Sequence, residues 1–269
     1  MQPFHIVVCA SIVPDPLQTL EPSASPSGPA LKNELMLPAI LDPWAAHALY
    51  EGAHLAKSAP GSKLWLVSLA PRAKLQQVMM VVAQKAPFEL VALDGPAGGF
   101  TESAEAAAAL AGAIQAIAGL DRSRLLLFGG WESASRGAGS TMQMLGERLG
   151  ILDQFQGVDE LTIAPDESLR ILERIEGGRH QVSVCAGPPA VLGWATGNLP
   201  EPPNNPQIGM ANMRAVMPAL QRAKPATVGA EGVTYVSVAV PSQRRETTIV
   251  KDRSAGEIAQ EIVDWIARD

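Results

Sequence analysis

The sequence predicts an α/β fold, a doubly wound and mainly parallel sheet, on three observations. Short apolar runs alternate with amphipathic helical stretches throughout the first half of the chain, the order that builds right-handed βαβ units. Those runs are nearly continuous in apolar residues, as strands buried on both faces are. The third observation is Leu125 to Gly150. There an apolar run (Leu125 to Phe128) stops at Gly129-Gly130, small residues follow, and a helix resumes near Ser140 with Met142, Leu145 and Leu149 on one face.

Taken in order, Phe4 to Ala10 reads as the first strand, ended by Pro14. Five prolines between 14 and 29 mark a long irregular excursion or hairpin, suited to contact outside the domain. Asp42 is an N-cap with Pro43 at the first helical position, and Trp44, Ala48, Leu49, Ala53 and Ala56 continue the helical stripe. Lys63 to Leu69 is a strand, Leu75 to Gln84 a helix, Phe88 to Leu93 a strand, and Thr101 to Ala118 an Ala-rich helix entered from Gly98-Gly99. Beyond the central loop, Gly157 to Ile163, Leu169 to Glu176, Gln181 to Cys185 and Ala190 to Trp194 read as short strands, expected to add to the sheet in antiparallel fashion. Leu199 to Pro206 is too rich in proline for regular structure, and Gln207 to Gln221 reads as a loop or short helix. Its apolar residues, Ile208, Met210, Met213, Val216, Met217 and Leu220, suit either ordinary core or an exposed docking segment. Tyr235 to Val240 reads as a strand, and Ser254 with Glu257 forms a capping box that opens a final amphipathic helix. Residues 1–198 are therefore assigned to an α/β domain, 199–232 to a proline-rich loop and linker, and 233–269 to a strand and helix arm.

The central loop carries the chemistry. In a parallel sheet it lies at the carboxyl end of its strand, where backbone N–H groups and a helix N-terminus favour a phosphate or another anion. Ser133, Ser135, Ser140 and Thr141 add hydroxyls, and Arg136 is its one cation, suited to a phosphate or to solvent. A plain connection is the alternative. The Walker lysine is absent, and Gly137-Ala138-Gly139 with Ser140-Thr141-Met142 lacks the last glycine of a dinucleotide fingerprint. Ser133 has no nucleophile elbow around it, and four histidines lack ligand spacing, so neither catalytic residues nor a metal site are expected.

With 21 Lys and Arg against 27 Asp and Glu, the net charge is −6 and no basic run offers a footprint for nucleic acid. No apolar run reaches membrane-span length, so no membrane insertion is expected. Cys9 and Cys185 sit in apolar runs far apart, which reads as two buried thiols in a reducing, cytoplasmic setting.

An ordered series of motifs resembles the beta subunit of electron transfer flavoproteins. Ile6 to Asp15 resembles that family's amino-terminal strand, Asp42-Pro43-Trp44 its helix start, and Ser68 to Pro71 its second strand end. Glu176-Gly177-Gly178, Pro189 to Leu192, Asn198 to Pro202, Met213 to Ala215 and Pro241 to Arg244 follow in the family's order. The resemblance implies a Rossmann-like domain whose carboxyl-terminal extension packs on an alpha subunit. That alpha subunit carries most contacts to a shared FAD, and the pair serves a donor dehydrogenase. It also implies a pocket for structural AMP, or for a second FAD in bifurcating members. By position the cofactor-binding residues are Cys9 (through its backbone), Asp42, Pro43, Trp44, Ala45, Leu69, Gly130, Ser133, Ser135, Arg136, Gly137, Gly139, Ser140 and Thr141. Trp44 is implied to face the flavin, and Ile208, Met210 and Met213 to recognise the dehydrogenase. The chain differs from the family pattern at Glu132 to Ala138, which lacks two aspartates and a glutamine, and at Asp42, where asparagine is usual. A stand-alone adenine-nucleotide-binding regulatory or scaffold domain is the alternative reading.

Overall fold

The computed structural model describes residues 2–25, 28–98, 100–135, 137, 139–228, 235–240 and 249–267. The chain divides into two compact units, Met1–Val238 and Ala239–Asp269. In the first, β1 (His5–Cys9) is followed by β2 (Ile12–Pro14), the antiparallel hairpin β3 (Pro22–Ser25) and β4 (Gly28–Leu31), and β5 (Ala39–Leu41), which pairs antiparallel with β2. The proline-rich excursion is thus a hairpin. β2 and β5, each three residues long, are too short to leave a periodic signal.

Then come α1 (Pro43–Ser58), β6 (Lys63–Ala70), α2 (Arg72–Val82), β7 (Glu89–Asp94), α3 (Ser103–Gln115), β8 (Leu125–Gly130) and α4 (Thr141–Leu149). Asp42 caps α1 by accepting from the Trp44 N–H, with Pro43 at the first turn. Gly150, left-handed at φ 66°, ends α4. β8 continues through both glycines, because Gly129 pairs with Cys9 and Gly193, and Gly130 with Trp194. Close packing explains glycine there: a Cβ on Gly129 would lie 2.4 Å from the Met142 sulfur.

The second half supplies β9 (Gln154–Ile163), β10 (Leu169–Ile175), β11 (Arg179–Cys185), β12 (Ala190–Trp194), α5 (Pro206–Gln221) and β13 (Lys224–Pro225). Among the described residues the main sheet runs β11-β10-β9-β12-β8-β1-β6-β7-β13. β9, β10 and β11 are the antiparallel addition. β12 is not part of it: it slots between β8 and β9, parallel to both, and all five of its residues are buried. A strand covered on both faces belongs to the parallel core, and its continuous apolar character was the available signal.

α1, α2 and α5 cover one face of the sheet over a core that includes Phe4, Leu66, Phe128 and Trp194. α3 and α4 cover the other, over Val7, Leu127, Leu145 and Ile114. This is a Rossmann-like doubly wound arrangement. α5 is a full 16-residue helix where a loop or short helix was expected. Asn205 caps it through the Gln207 and Ile208 N–H groups, and Pro218 is tolerated because burial of Asn212, Val216 and Leu220 holds the helix to α2 and β7. The Asn212 amide donates to the Ala83 and Ala86 carbonyls.

Residues 235–240 do not form the expected strand; Val236 is exposed and no strand pairs with them among the described residues. β-branched composition without a partner edge does not make a strand. Residues 241–244 lie outside the described residues. In the second unit α6 (Ala255–Ile266) starts at the expected capping box, in which Ser254 and Glu257 bond reciprocally, and it buries none of its residues.

Candidate functional site

From β1 the chain steps to β6 and β7 on one side, then returns to place β8 on the other. The carboxyl ends of β1 and β8 therefore diverge into the crevice where doubly wound sheets bind ligands. A cleft occupies that position, about 930 Å³ including its open mouth. Of the residues expected to bind a cofactor, Cys9, Asp42, Ala45, Leu69, Gly130, Ser133, Ser135, Gly139 and Thr141 line it. Pro43, Trp44, Gly137 and Ser140 flank it without lining it, and Arg136 lies outside the described residues. Trp44 is instead packed edge-on against Trp131, with ring centroids 6.4 Å apart.

The cleft is also lined by residues outside the expected set: Ser11, Ile12 and Val13 after β1, Thr101 before α3, Ser103, Ala106 and Leu110 along α3, and Glu132 and Met142. Their signal was topological, since helix starts after neighbouring strands meet at a switch point. Leu69, Ala106 and Leu110 supply an apolar wall; Ser11, Ser133, Ser135 and Thr141 supply hydroxyls. At the mouth of α4 the Ser140 side chain makes no cap bond, and helix N–H groups that lack a cap suit a ligand or water. Gly130 and Gly139 keep the loop low, since a Cβ on Gly130 would meet the Trp44 Cβ at 2.7 Å and one on Gly139 the Trp131 carbonyl at 2.8 Å.

No Lys or Arg lines the cleft among the described residues, whereas Asp42 and Glu132 do. Asp42 is only 1% exposed. Burial raises its pKa, opposed by hydrogen bonds from the Ala134 and Trp44 N–H groups and the Ser133 and Ser11 hydroxyls. The Cys9 thiol, wholly buried, is pushed up to about 12, so it stays protonated and is no nucleophile. Cys185 is half-buried, not the core thiol expected, because β11 is the sheet edge.

Ile208 and the two methionines part company. Met210, 70% exposed, and half-buried Met213 share a shallow groove with Met80 and Gln84 between α5 and α2. Ile208 lines a separate groove with Tyr50, Phe88 and Pro200. Met213 also packs on the core, so Met210 is the residue of the three that is most open to a partner.

A second polar cluster lay beyond motif reading. Buried Asp159 on β9 accepts from the Arg174 guanidinium at 2.8 and 3.1 Å, contacts His180 Nε2 at 2.9 Å, and accepts from Thr196. Arg174 and His180 face each other across β10 and β11. Only strand register brings these residues together. Burial opposes ionisation of Asp159, but the His180 and Arg174 bonds and the Arg174 charge outweigh it and hold its pKa below the usual carboxylate range.

Among the described residues no group of His, Cys, Asp and Glu could hold a metal ion, and no helix is long and apolar enough to cross a membrane. No family model matches the chain, and no curated protein matches it.

Proposed function

We propose that the chain is the beta-type subunit of a heterodimeric electron transfer flavoprotein, with an adenine nucleotide in its switch-point cleft and no catalytic residues of its own. One observation supports the reading: nine of the fourteen residues, scattered from Cys9 to Thr141, that the sequence resemblance assigns to one pocket line one cleft. The cleft's chemistry fits AMP. Leu69, Ala106 and Leu110 suit a base, the hydroxyls suit a ribose, and the uncapped start of α4 suits one phosphate. Glu132 must turn from that phosphate, and Arg136 is available in sequence to offset it.

FAD, held mainly by the alpha subunit, supplies the redox chemistry when bound. This chain's share is positional. Its cleft side forms one wall toward the partner, and the exposed Met210 patch on α5 docks the donor dehydrogenase. The unburied apolar side of α6, with Ile258, Ile262 and Ile266, packs on the alpha subunit. The setting is cytoplasmic.

Affinity purification of the tagged chain from its own host tests this reading. The expected product is a yellow heterodimer with a flavin-bearing partner chain. A colourless monomer that retains an adenine nucleotide would replace the reading with a stand-alone nucleotide-binding regulator.

A further inference from the structure

Three segments that are distant in sequence meet at one buried carboxylate. Asp42 Oδ1 accepts from the Trp44 N–H at 3.1 Å, which caps α1. Its Oδ2 accepts from the Ala134 N–H at 3.0 Å, in the glycine-rich loop, and from the Ser11 hydroxyl at 3.3 Å, in the turn after β1. Three protein donors are thus aimed at one side chain that is almost wholly enclosed. A carboxylate has about four lone-pair directions, and three of them here are taken by the protein.

Among the described residues the loop's other bonds are few and local. Gly137 donates back to the Ser133 carbonyl, and the Ser133 and Ser135 hydroxyls bond each other, all within the loop. Trp131 ties its root to the Trp194 carbonyl. Among the described residues, the bond that runs from the tip of the loop to the opposite wall of the cleft is Ala134 to Asp42. The loop residues that face the cleft, Ser133 and Ser135, flank that bond directly.

We propose that Asp42 is a positioning residue, a buried latch that fixes the glycine-rich loop over the cleft and makes no contact of its own with the bound molecule. It is tied to the proposed function only in that the cleft takes a ligand. The latch accounts for Asp42, one of the two acidic residues in a cleft suited to an anion: its charge is spent on N–H and O–H groups before a phosphate arrives. It also makes an aspartate at this position different from an asparagine, which turns one of its two arms from acceptor into donor.

That difference supplies the test. Asp42→Asn keeps an oxygen for the Trp44 N–H, so α1 stays capped, since Asn and Asp cap helices equally well. It sets an amide N–H₂ opposite the Ala134 N–H and breaks the latch. Ala134→Pro removes the same bond from the loop side and leaves Asp42 untouched. Hydrogen–deuterium exchange of the full chain without ligand, followed on a peptide spanning residues 131–139, should show the loop exchanging about 10-fold to 100-fold faster in Asp42→Asn, the range for a lost charge-assisted bond. Peptides from α1 should be unchanged. Ala134→Pro should quicken exchange at Ser135 to a similar degree, and it stands in for Asp42→Asn if that variant does not fold. Loop exchange unchanged in the folded variants overturns the latch. Calorimetry with AMP separates the two readings: faster loop exchange with at least about 10-fold weaker AMP binding supports both, whereas faster exchange in a chain whose wild type binds no AMP keeps the latch and removes AMP from the proposed function.

Discussion

Gly130→Val is expected to abolish nucleotide binding while leaving the chain folded. Gly130 ends β8 at the switch point and lines the cleft. A Cβ there would lie 2.7 Å from the Trp44 Cβ, 3.0 Å from the Glu132 carbonyl and 3.2 Å from the Ala45 N–H. The first contact is with the root of a side chain, which cannot swing aside, so the loop must lift or α1 must retreat. Overpacking of this kind costs about 1–3 kcal/mol of stability. Lifting the loop should also separate it from the α4 N-terminus, and loss of two charge-assisted bonds to a phosphate corresponds to at least about 100-fold in affinity. Calorimetric titration with AMP and a denaturant melt read the two effects separately. Gly112→Ala on α3 is the control, since a Cβ there meets nothing within 4 Å and helical alanine is favoured over glycine by about 1 kcal/mol. Undiminished AMP binding in Gly130→Val would move the site out of this cleft.

Asp159→Ala should carry the largest stability loss, about 3 kcal/mol in urea unfolding, the lower end for breaking a buried ion pair because Arg174 and His180 reach solvent. The residue joins β9, β10, β11 and the turn after β12, so its removal loosens the whole antiparallel extension. Its lowered pKa fixes the pH dependence. An aspartate that is more acidic in the folded state contributes stability in full above the unfolded value near 3.8, and loses it as pH falls through the lower folded value. Wild type should therefore lose stability relative to Asp159→Ala below about pH 4, where the two melting curves converge. A constant gap down to pH 2 would mean that Asp159 acts by packing alone.

The first half of the fold was legible because each strand there is a continuous apolar run and each helix has local marks, as at Asp42-Pro43 and at Ser254 with Glu257. β12 carried the same apolar mark but sat among alternating strands, and its parallel partners lie elsewhere in the chain. α5 was obscured by Gly209 and Pro218, which local propensity penalises and tertiary burial overrides. For the cleft, glycines and hydroxyls pointed to the loop after β8, but Ser103 and Leu110 join it only through the strand order. The Asp159 cluster had no sequence signal, because hydrogen bonds across three strands depend on register. Likewise, the protein donors gathered on Asp42, a position read as a nucleotide contact, are visible only through burial and geometry.

The nucleotide content of the purified wild-type protein tests the central claim most directly. Acid precipitation followed by chromatography of the supernatant should release about one adenine nucleotide per chain beyond any FAD stoichiometric with a partner. Protein that is folded by its melting profile, yet releases no nucleotide and gives no heat with AMP, would contradict the assignment of the switch-point cleft.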